Sequence, residues 1–377
     1  MLYWLCYEIL FPYFGPLRLF GYLTFRTAAA SIFALVLSVA LGPWLIRKLR
    51  ELQIGQHIRE EGPKSHQKKS GTPTMGGLLI GIAVVVPTLL FANLRTAFVW
   101  IALFALVGFG LIGFWDDWTK VKKKRNLGLT ARQKLVAQIA VAMIIGFVLL
   151  GMQATGGYDP SLNVPFFKQF KPNLLIESLL HNPWTYVFGF APFYLFMIVV
   201  IVGASNAVNL TDGLDGLATG LMVISSGAMT VLCYLNSHKM FAEYLELARV
   251  PGTGELTIFC GALTGASLGF LWFNAHPAEV FMGDVGALGL GGALGTVAVL
   301  IKQELLLPFI GGVYVIELLS VVLQVGSYKL RGKRIFKMAP IHHHFEALGW
   351  HEAKVIARFW IAGLILALLA LTTLKLR

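Results

Sequence analysis

Charge is what this chain has least of. Only 13% of its 377 residues are charged, against 56% hydrophobic. That excludes an ordinary soluble domain of this length, in which about a quarter of the residues carry charge. Acids are scarcer than bases, with 19 Asp and Glu against 31 Lys and Arg. The three cysteines, Cys6, Cys233 and Cys260, form an odd set in apolar surroundings, with no disulfide framework and no zinc spacing. No tandem repeat or low-complexity segment occurs, and no polar stretch is long enough to fold alone. The first 20 residues lack a basic n-region and a small-residue cleavage site, so no cleavable signal peptide is expected.

What is present is a series of apolar runs of about 20 residues, the length at which a helix crosses a bilayer. Ten spans are expected, at roughly Thr27–Ile46, Met75–Asn93, Thr96–Trp115, Leu135–Met152, Tyr186–Gly203, Gly216–Leu235, Leu256–Phe273, Val285–Ile301, Leu305–Tyr328 and Phe359–Leu374. The ninth holds Glu317, with Gly311, Gly312 and Gly326 as places to break or bend. The expected fold class is all-α: a polytopic integral membrane protein forming a single transmembrane catalytic domain over residues 1–377. Residues 1–22, aromatic and interrupted by Pro12, Gly15 and Pro16, read as an interfacial segment. Gly261, Gly265 and Gly269, and again Gly291 and Gly295, have the four-residue spacing that lets helices pack closely in lipid.

Ten spans put the first, third, fifth, seventh and ninth loops on one face. Segments Arg47–Lys69, Lys120–Lys134 and Lys329–Arg358 lie on that face and carry seven basic residues each, 21 of the 31 in the chain. By the positive-inside rule that face is cytoplasmic, and both termini are periplasmic. Residues 153–185 are then a periplasmic loop and residues 329–358 a cytoplasmic one. The formal charge of +12 points to anionic headgroups and phosphorylated substrates as partners, with no nucleic acid.

The few acids fall at span mouths, and Asp116, Asp117, Asp212, Asp215 and Asp284 all share the cytoplasmic face. Asp116-Asp117-Trp118-Thr119-Lys120 closes the third span. Adjacent carboxylates repel unless a cation or proton is shared. Mg²⁺ suits them, because it takes one or two carboxylates and completes its shell with water and substrate phosphate. A solvated charge cluster at a helix end is the plainer alternative, but acids there oppose the helix dipole. The Asn206–Gly216 segment, with Asn209, Asp212 and Asp215, reads either as helix capping or as a phosphate or metal cradle. Its Asn209-Leu-Thr211 sequon is discarded, because a cytoplasmic loop is not glycosylated. Asn274 and Phe281-Met-Gly-Asp284 flank the seventh loop, where Asp284 alone is also explicable as a cap.

His342, His343 and His344 stand together in the last cytoplasmic loop. Three neighbours cannot easily share one zinc, so phosphate or sugar contact fits them better than metal binding, with a basic surface loop as the bland alternative. Lys68-Lys69-Ser-Gly-Thr-Pro-Thr-Met-Gly-Gly77 leads into the second span as a Gly and Thr turn suited to phosphate, although positive-inside anchoring also explains its lysines. Gly108-Phe-Gly110-Leu-Ile-Gly113 matches a dinucleotide fingerprint but lies inside a span and carries no weight. Glu317, an intramembrane acid, is expected to be functional or turned inward to a partner.

Five blocks together resemble the polyprenyl-phosphate N-acetylhexosamine-1-phosphate transferases over nearly the whole chain. They are Gly71–Gly77, Asp116-Asp117, Asn206–Gly216, Phe281–Asp284 and Ala339-Pro-Ile-His-His-His344. The three-histidine block is similar to the muramoyl-pentapeptide branch rather than the N-acetylglucosamine branch. The resemblance implies transfer of phospho-MurNAc-pentapeptide from UDP-MurNAc-pentapeptide to undecaprenyl phosphate at the cytoplasmic face of the bacterial inner membrane, with Mg²⁺ as cofactor and UMP released. It implies Asp284 as a Mg²⁺ ligand with Asp117, which also assists the lipid phosphate beside Asp116. It implies phosphate contacts for Lys69, Lys120 and Lys134. Asn209, Asp212, Asp215, Asn274 and Phe281 fall on the nucleotide side and His343 and His344 on the sugar-phosphate side, with Asn206 and His342 as further substrate-binding residues. It further implies a broken ninth helix, a homodimer, and membrane lipid as surroundings.

Two rival readings make different demands. A UDP-GlcNAc transferase shares the chemistry and differs in the sugar accepted. A secondary transporter places its acids near the bilayer midplane at broken helices. Only Glu317 is expected there.

Overall fold

The structure is a computed structural model and describes residues 1–52, 71–123, 128–165, 167, 170–181 and 185–375. Ten long helices organise it: α1 (Leu23–Glu51), α2 (Gly77–Phe91), α3 (Ala97–Lys123), α4 (Ala131–Ala154), α5 (Ala191–Thr211), α6 (Leu217–Ser237), α7 (Leu256–Asn274), α8 (Gly283–Leu300), α9 (Gly312–Arg331) and α10 (Glu352–Thr372). Each expected apolar run coincides with one of them, and among the described residues no strand forms. All but α2 are long and apolar enough to cross a membrane, and α2 is 15 residues long.

Helix α8 occupies the centre. Every residue from Val285 to Leu300 is buried, with α2, α3, α5 and α6 packed around it. Lipid tails are as apolar as leucine, so helices gain little by hiding apolar surface from lipid. Close van der Waals packing holds them together instead. The glycines with four-residue spacing supply it. A Cβ at Gly291 would stand 2.5 Å from the Ala204 carbonyl of α5, and one at Gly269 of α7 would stand 2.6 Å from Ser38 of α1. Helix α7 is the second buried element, lying against α1, α2 and α6.

One boundary differs from expectation, and one expected break, in the ninth span, is found. The fifth helix starts at Ala191, after a separate turn at Tyr186–Gly189, with Pro192 in its first turn. It runs on to Thr211 because its polar end, Asn206 to Thr211, is helical although hydropathy falls there. The ninth span is divided: Leu307–Ile310 forms one turn, and α9 begins after Gly311. The Ile310 carbonyl accepts a hydrogen bond from Ser225, midway along α6. The break therefore lies at mid-depth, and Glu317, five residues into α9, sits nearer the end of the bundle that holds the acids. Glu317 and Gly326 do not interrupt α9.

The opposite end is closed by buried polar contacts. Arg26 of α1 makes two bonds to Glu255, of 2.7 and 2.8 Å, and Glu255 also accepts from the Asn93 amide at 2.8 Å. Lys302 pairs with Glu304 at 2.9 Å and reaches the Tyr158 hydroxyl at 3.3 Å. The Met1 amino group bonds to the Leu89 and Leu90 carbonyls at that end of α2. Since α10 starts beside the acids and runs away from them, both its end and Met1 lie at the end of the bundle remote from Asp284.

Candidate active site

Helix α3 does not stop at its acid pair. It continues to Lys123, so Lys120 falls three and four residues after Asp117 and Asp116 and returns to their face. Its ammonium stands 2.6 Å from Asp116 Oδ2 and 3.1 Å from Asp117 Oδ1. Both aspartates are buried. Asp116 Oδ1 also accepts from the Leu129 amide at 2.8 Å, which ties the start of α4 to the end of α3. A capping box between Thr130 and Gln133 then launches α4 and sets Lys134 in its first turn.

Asp284 enters from α8. Two backbone bonds of 2.9 and 2.8 Å, Gly76 to Phe281 and Gly77 to Met282, dock the segment before α2 against the residues before α8. The Phe281 amide completes the seam by donating to Pro73 at 2.8 Å. Gly283 turns the chain into α8 at φ +72°, a left-handed conformation that suits glycine. A side chain there would also collide, since its Cβ would lie 2.7 Å from Asp117 Oδ2 and 2.9 Å from Thr74 Oγ1. The N-cap position of α8 is Met282, not Asp284. Asp284 Oδ2 faces Lys134 at 2.7 Å and Lys120 at 3.1 Å.

The result is three carboxylates, Asp116, Asp117 and Asp284, each offering an oxygen within 4.8 Å of the others. Lys120 already sits among all three, so the group is arranged around positive charge. Two lysines against three acids leave an excess negative charge, and the donors are all oxygen. That set fits a hard divalent cation.

The acids of the Asn206–Gly216 segment part company. Asp212 belongs with the triad: it accepts from the Gly283 amide, and burial, with Asp284 and Asp117 nearby, pushes its carboxyl up to about 8. Asp215 turns the other way, to His276 Nδ1 at 3.1 Å and the Ala278 amide at 3.1 Å, while its own amide donates to Glu352 at 3.1 Å. This second cluster, Asp215, His276 and Glu352, joins the loop before α6, the loop after α7 and the first turn of α10. Helix α6 is capped by Gly216 at φ +75°, with no side-chain cap bond, so neither aspartate serves as its cap.

The remaining expected residues divide between half-buried and buried places. Asn209 is half-buried at the end of α5, and Phe281 is half-buried at the docking seam. Asn274 is buried, accepting from Thr219 at 2.7 Å and donating to the Val280 carbonyl at 2.9 Å. Asn206 donates to Gln138 and to the Val202 carbonyl, both at 2.9 Å. His343 Nδ1 lies 2.7 Å from Glu346, and His344 accepts from the Lys337 amide at 3.1 Å. His342 is fully buried and faces Glu317. Lys69 lies outside the described residues. Sequence reasoning missed Gln138, His276 and Glu352. Gln138 had a signal, since it follows Lys134 by one helical turn. His276 and Glu352 had none, because only the fold brings them to Asp215.

The glycosyl transferase family 4 model matches residues 99–302, and the signature 1 of phospho-N-acetylmuramoyl-pentapeptide-transferase matches residues 69–80. A phospho-N-acetylmuramoyl-pentapeptide-transferase of Solibacter usitatus is 68% identical, with all of both chains covered. Those of Koribacter versatilis, 64% identical over the full length of both, and Desulfatibacillum aliphaticivorans, 55% identical over 98% of this chain and 99% of its own, are also similar. With such identity along its whole length, the chain belongs to the phospho-N-acetylmuramoyl-pentapeptide-transferase family.

Proposed function

We propose that the chain transfers phospho-MurNAc-pentapeptide from UDP-MurNAc-pentapeptide to undecaprenyl phosphate, yielding lipid I and UMP. The observation that carries this reading is the triad of buried Asp116 and Asp117 with half-buried Asp284, set beside Lys120 and Lys134 where α3, α4 and α8 meet. A lipid phosphate too long to leave the bilayer meets there a soluble, charged nucleotide sugar. Residues 1–377 act as a single transmembrane catalytic domain in the bacterial inner membrane, with this end cytoplasmic and both termini periplasmic. The active form is a homodimer.

In the transfer, an oxygen of the lipid phosphate attacks the phosphorus that carries the sugar. The bond from that phosphorus to the UMP oxygen breaks, and UMP leaves with the bonding electrons. The attacking phosphate is already ionised near neutral pH, so Asp117 orients it more than it removes a proton. Lys120 and Lys134 meet phosphate charge, and Lys69 joins them. Asp284 and Asp117 hold Mg²⁺, with Asp116 shaping the same pocket. When bound, Mg²⁺ offsets the charge of the diphosphate. Asn209, Asp212, Asp215, Asn274 and Phe281 form the uridine side, and His343 and His344 the sugar-phosphate side.

The test is a comparison of donors. Vesicles holding the chain and undecaprenyl phosphate receive UDP-MurNAc-pentapeptide or UDP-GlcNAc, and UMP and lipid product are measured. Product from UDP-MurNAc-pentapeptide supports the reading. Product from UDP-GlcNAc alone replaces it with the related transferase.

A further inference from the structure

Glu317 is fully buried in α9, and among the described residues neither of its carboxylate oxygens has a hydrogen bond. Burying such a group is costly unless something faces it. The group that faces it is His342, whose Nδ1 stands 3.1 Å from Glu317 Oε2. His342 is itself fully buried, and among the described residues its ring nitrogens also lack hydrogen bonds. Its Nε2 is pressed against Gly213, where a Cβ would overlap that atom. Gly213 lies between Asp212 and Asp215, and the His343 ring lies 4.1 Å from the His342 ring, centre to centre. The pair thus joins α9, the Ile341–Ala347 helix and the loop between α5 and α6.

We infer that Glu317 is a positioning residue for the transfer. It touches no reacting atom. It fixes the His342 ring, and the ring braces the loop 209–216 and its neighbour His343. The two nitrogens of an imidazole are distinct, and a carboxylate at Nδ1 decides which of them carries the proton and how the ring is turned. The break at Gly311 is what makes this contact available, because it lets α9 start inside the bundle and carry Glu317 to the level of the cytoplasmic loops. The inference rests on reading loop 209–216 as the nucleotide side of the site.

The test uses the full chain in nanodiscs. Glu317→Gln keeps the shape and removes the charge. We expect kcat/KM for UDP-MurNAc-pentapeptide to fall by about 10- to 100-fold, as for other residues that orient a functional histidine. The fall should lie mainly in the KM for the nucleotide sugar, with the KM for lipid phosphate and the melting temperature near wild type. Glu317→Asp should recover part of the loss. Gly213→Ala leaves Glu317 intact, displaces the ring from the other side, and should give the same KM pattern. It also carries the test if Glu317→Gln does not fold. With ¹⁵N-labelled histidine, His342 should carry its proton on Nδ1 in the wild type and lose that preference in Glu317→Gln. Wild-type kinetics in folded Glu317→Gln or Gly213→Ala would overturn the inference. So would a loss that tracks the melting temperature and affects both substrates alike. If the wild-type chain transfers nothing from UDP-MurNAc-pentapeptide, the functional reading fails, while the histidine spectrum still decides the pairing.

Discussion

Lys120 and Lys134 reach the same carboxylate from different helices, and their partners set what each removal should do. Lys120 lies within 3.1 Å of all three aspartates, whereas Lys134 meets Asp284 at 2.7 Å and Asp116 only at 3.5 Å. Removing a group aimed at developing charge costs about 10²- to 10³-fold in rate. Lys120→Met should show that full loss and Lys134→Met a smaller one, both read as kcat in vesicles. Equal and slight losses would contradict the geometry. Lys302 makes the opposite case. It pairs with Oε1 of buried Glu304 at the far end. Lys302→Met leaves that carboxylate uncompensated, which costs about 3–5 kcal/mol. The melting temperature should drop while folded enzyme keeps its turnover. At this scale the sequence showed which acids gather at one end better than which way they face. The acids were legible because carboxylates are rare in so apolar a chain. The opposite orientations of Asp212 and Asp215 were not, since a three-residue spacing does not say which neighbour each side chain meets.

At the scale of the element, the helices were legible from apolar runs and the break before Gly312 from its glycines, and the error lies where hydropathy and helicity part: Asn206 to Thr211 is helical although hydropathy falls there. Packing separates glycines that hydropathy treats alike. Gly291 has Ala204 and Ser205 against it, whereas Gly326 in α9 has open space around it. Gly291→Val forces α8 away from α5, at a cost of about 1–3 kcal/mol or more. Because Ser205 also bonds to the Leu288 carbonyl, one turn from Asp284, activity should fall with stability. Gly326→Ala only removes a flexible residue from a helix and should stabilise by about 0.5–1 kcal/mol. Thermal melts of the two variants in detergent check the contrast, and the same sign for both would refute it.

For the molecule as a whole, parity of spans and the bias of basic residues were enough to put the five acids on one face. The structure brings four of them, Asp116, Asp117, Asp212 and Asp284, into one neighbourhood and leaves Asp215 in the adjoining cluster. Both ends of the helical bundle can be probed directly. A cysteine at Ser161 should react with an impermeant maleimide on intact spheroplasts, and one at Lys333 only after permeabilisation. The reverse pattern would invert the topology. The most direct measurement of the central claim is UMP release by Asp284→Ala, purified and shown to be folded, with UDP-MurNAc-pentapeptide, undecaprenyl phosphate and Mg²⁺. The account predicts Mg²⁺-dependent release in the wild type and none above background in the variant. Wild-type release from folded Asp284→Ala would contradict it.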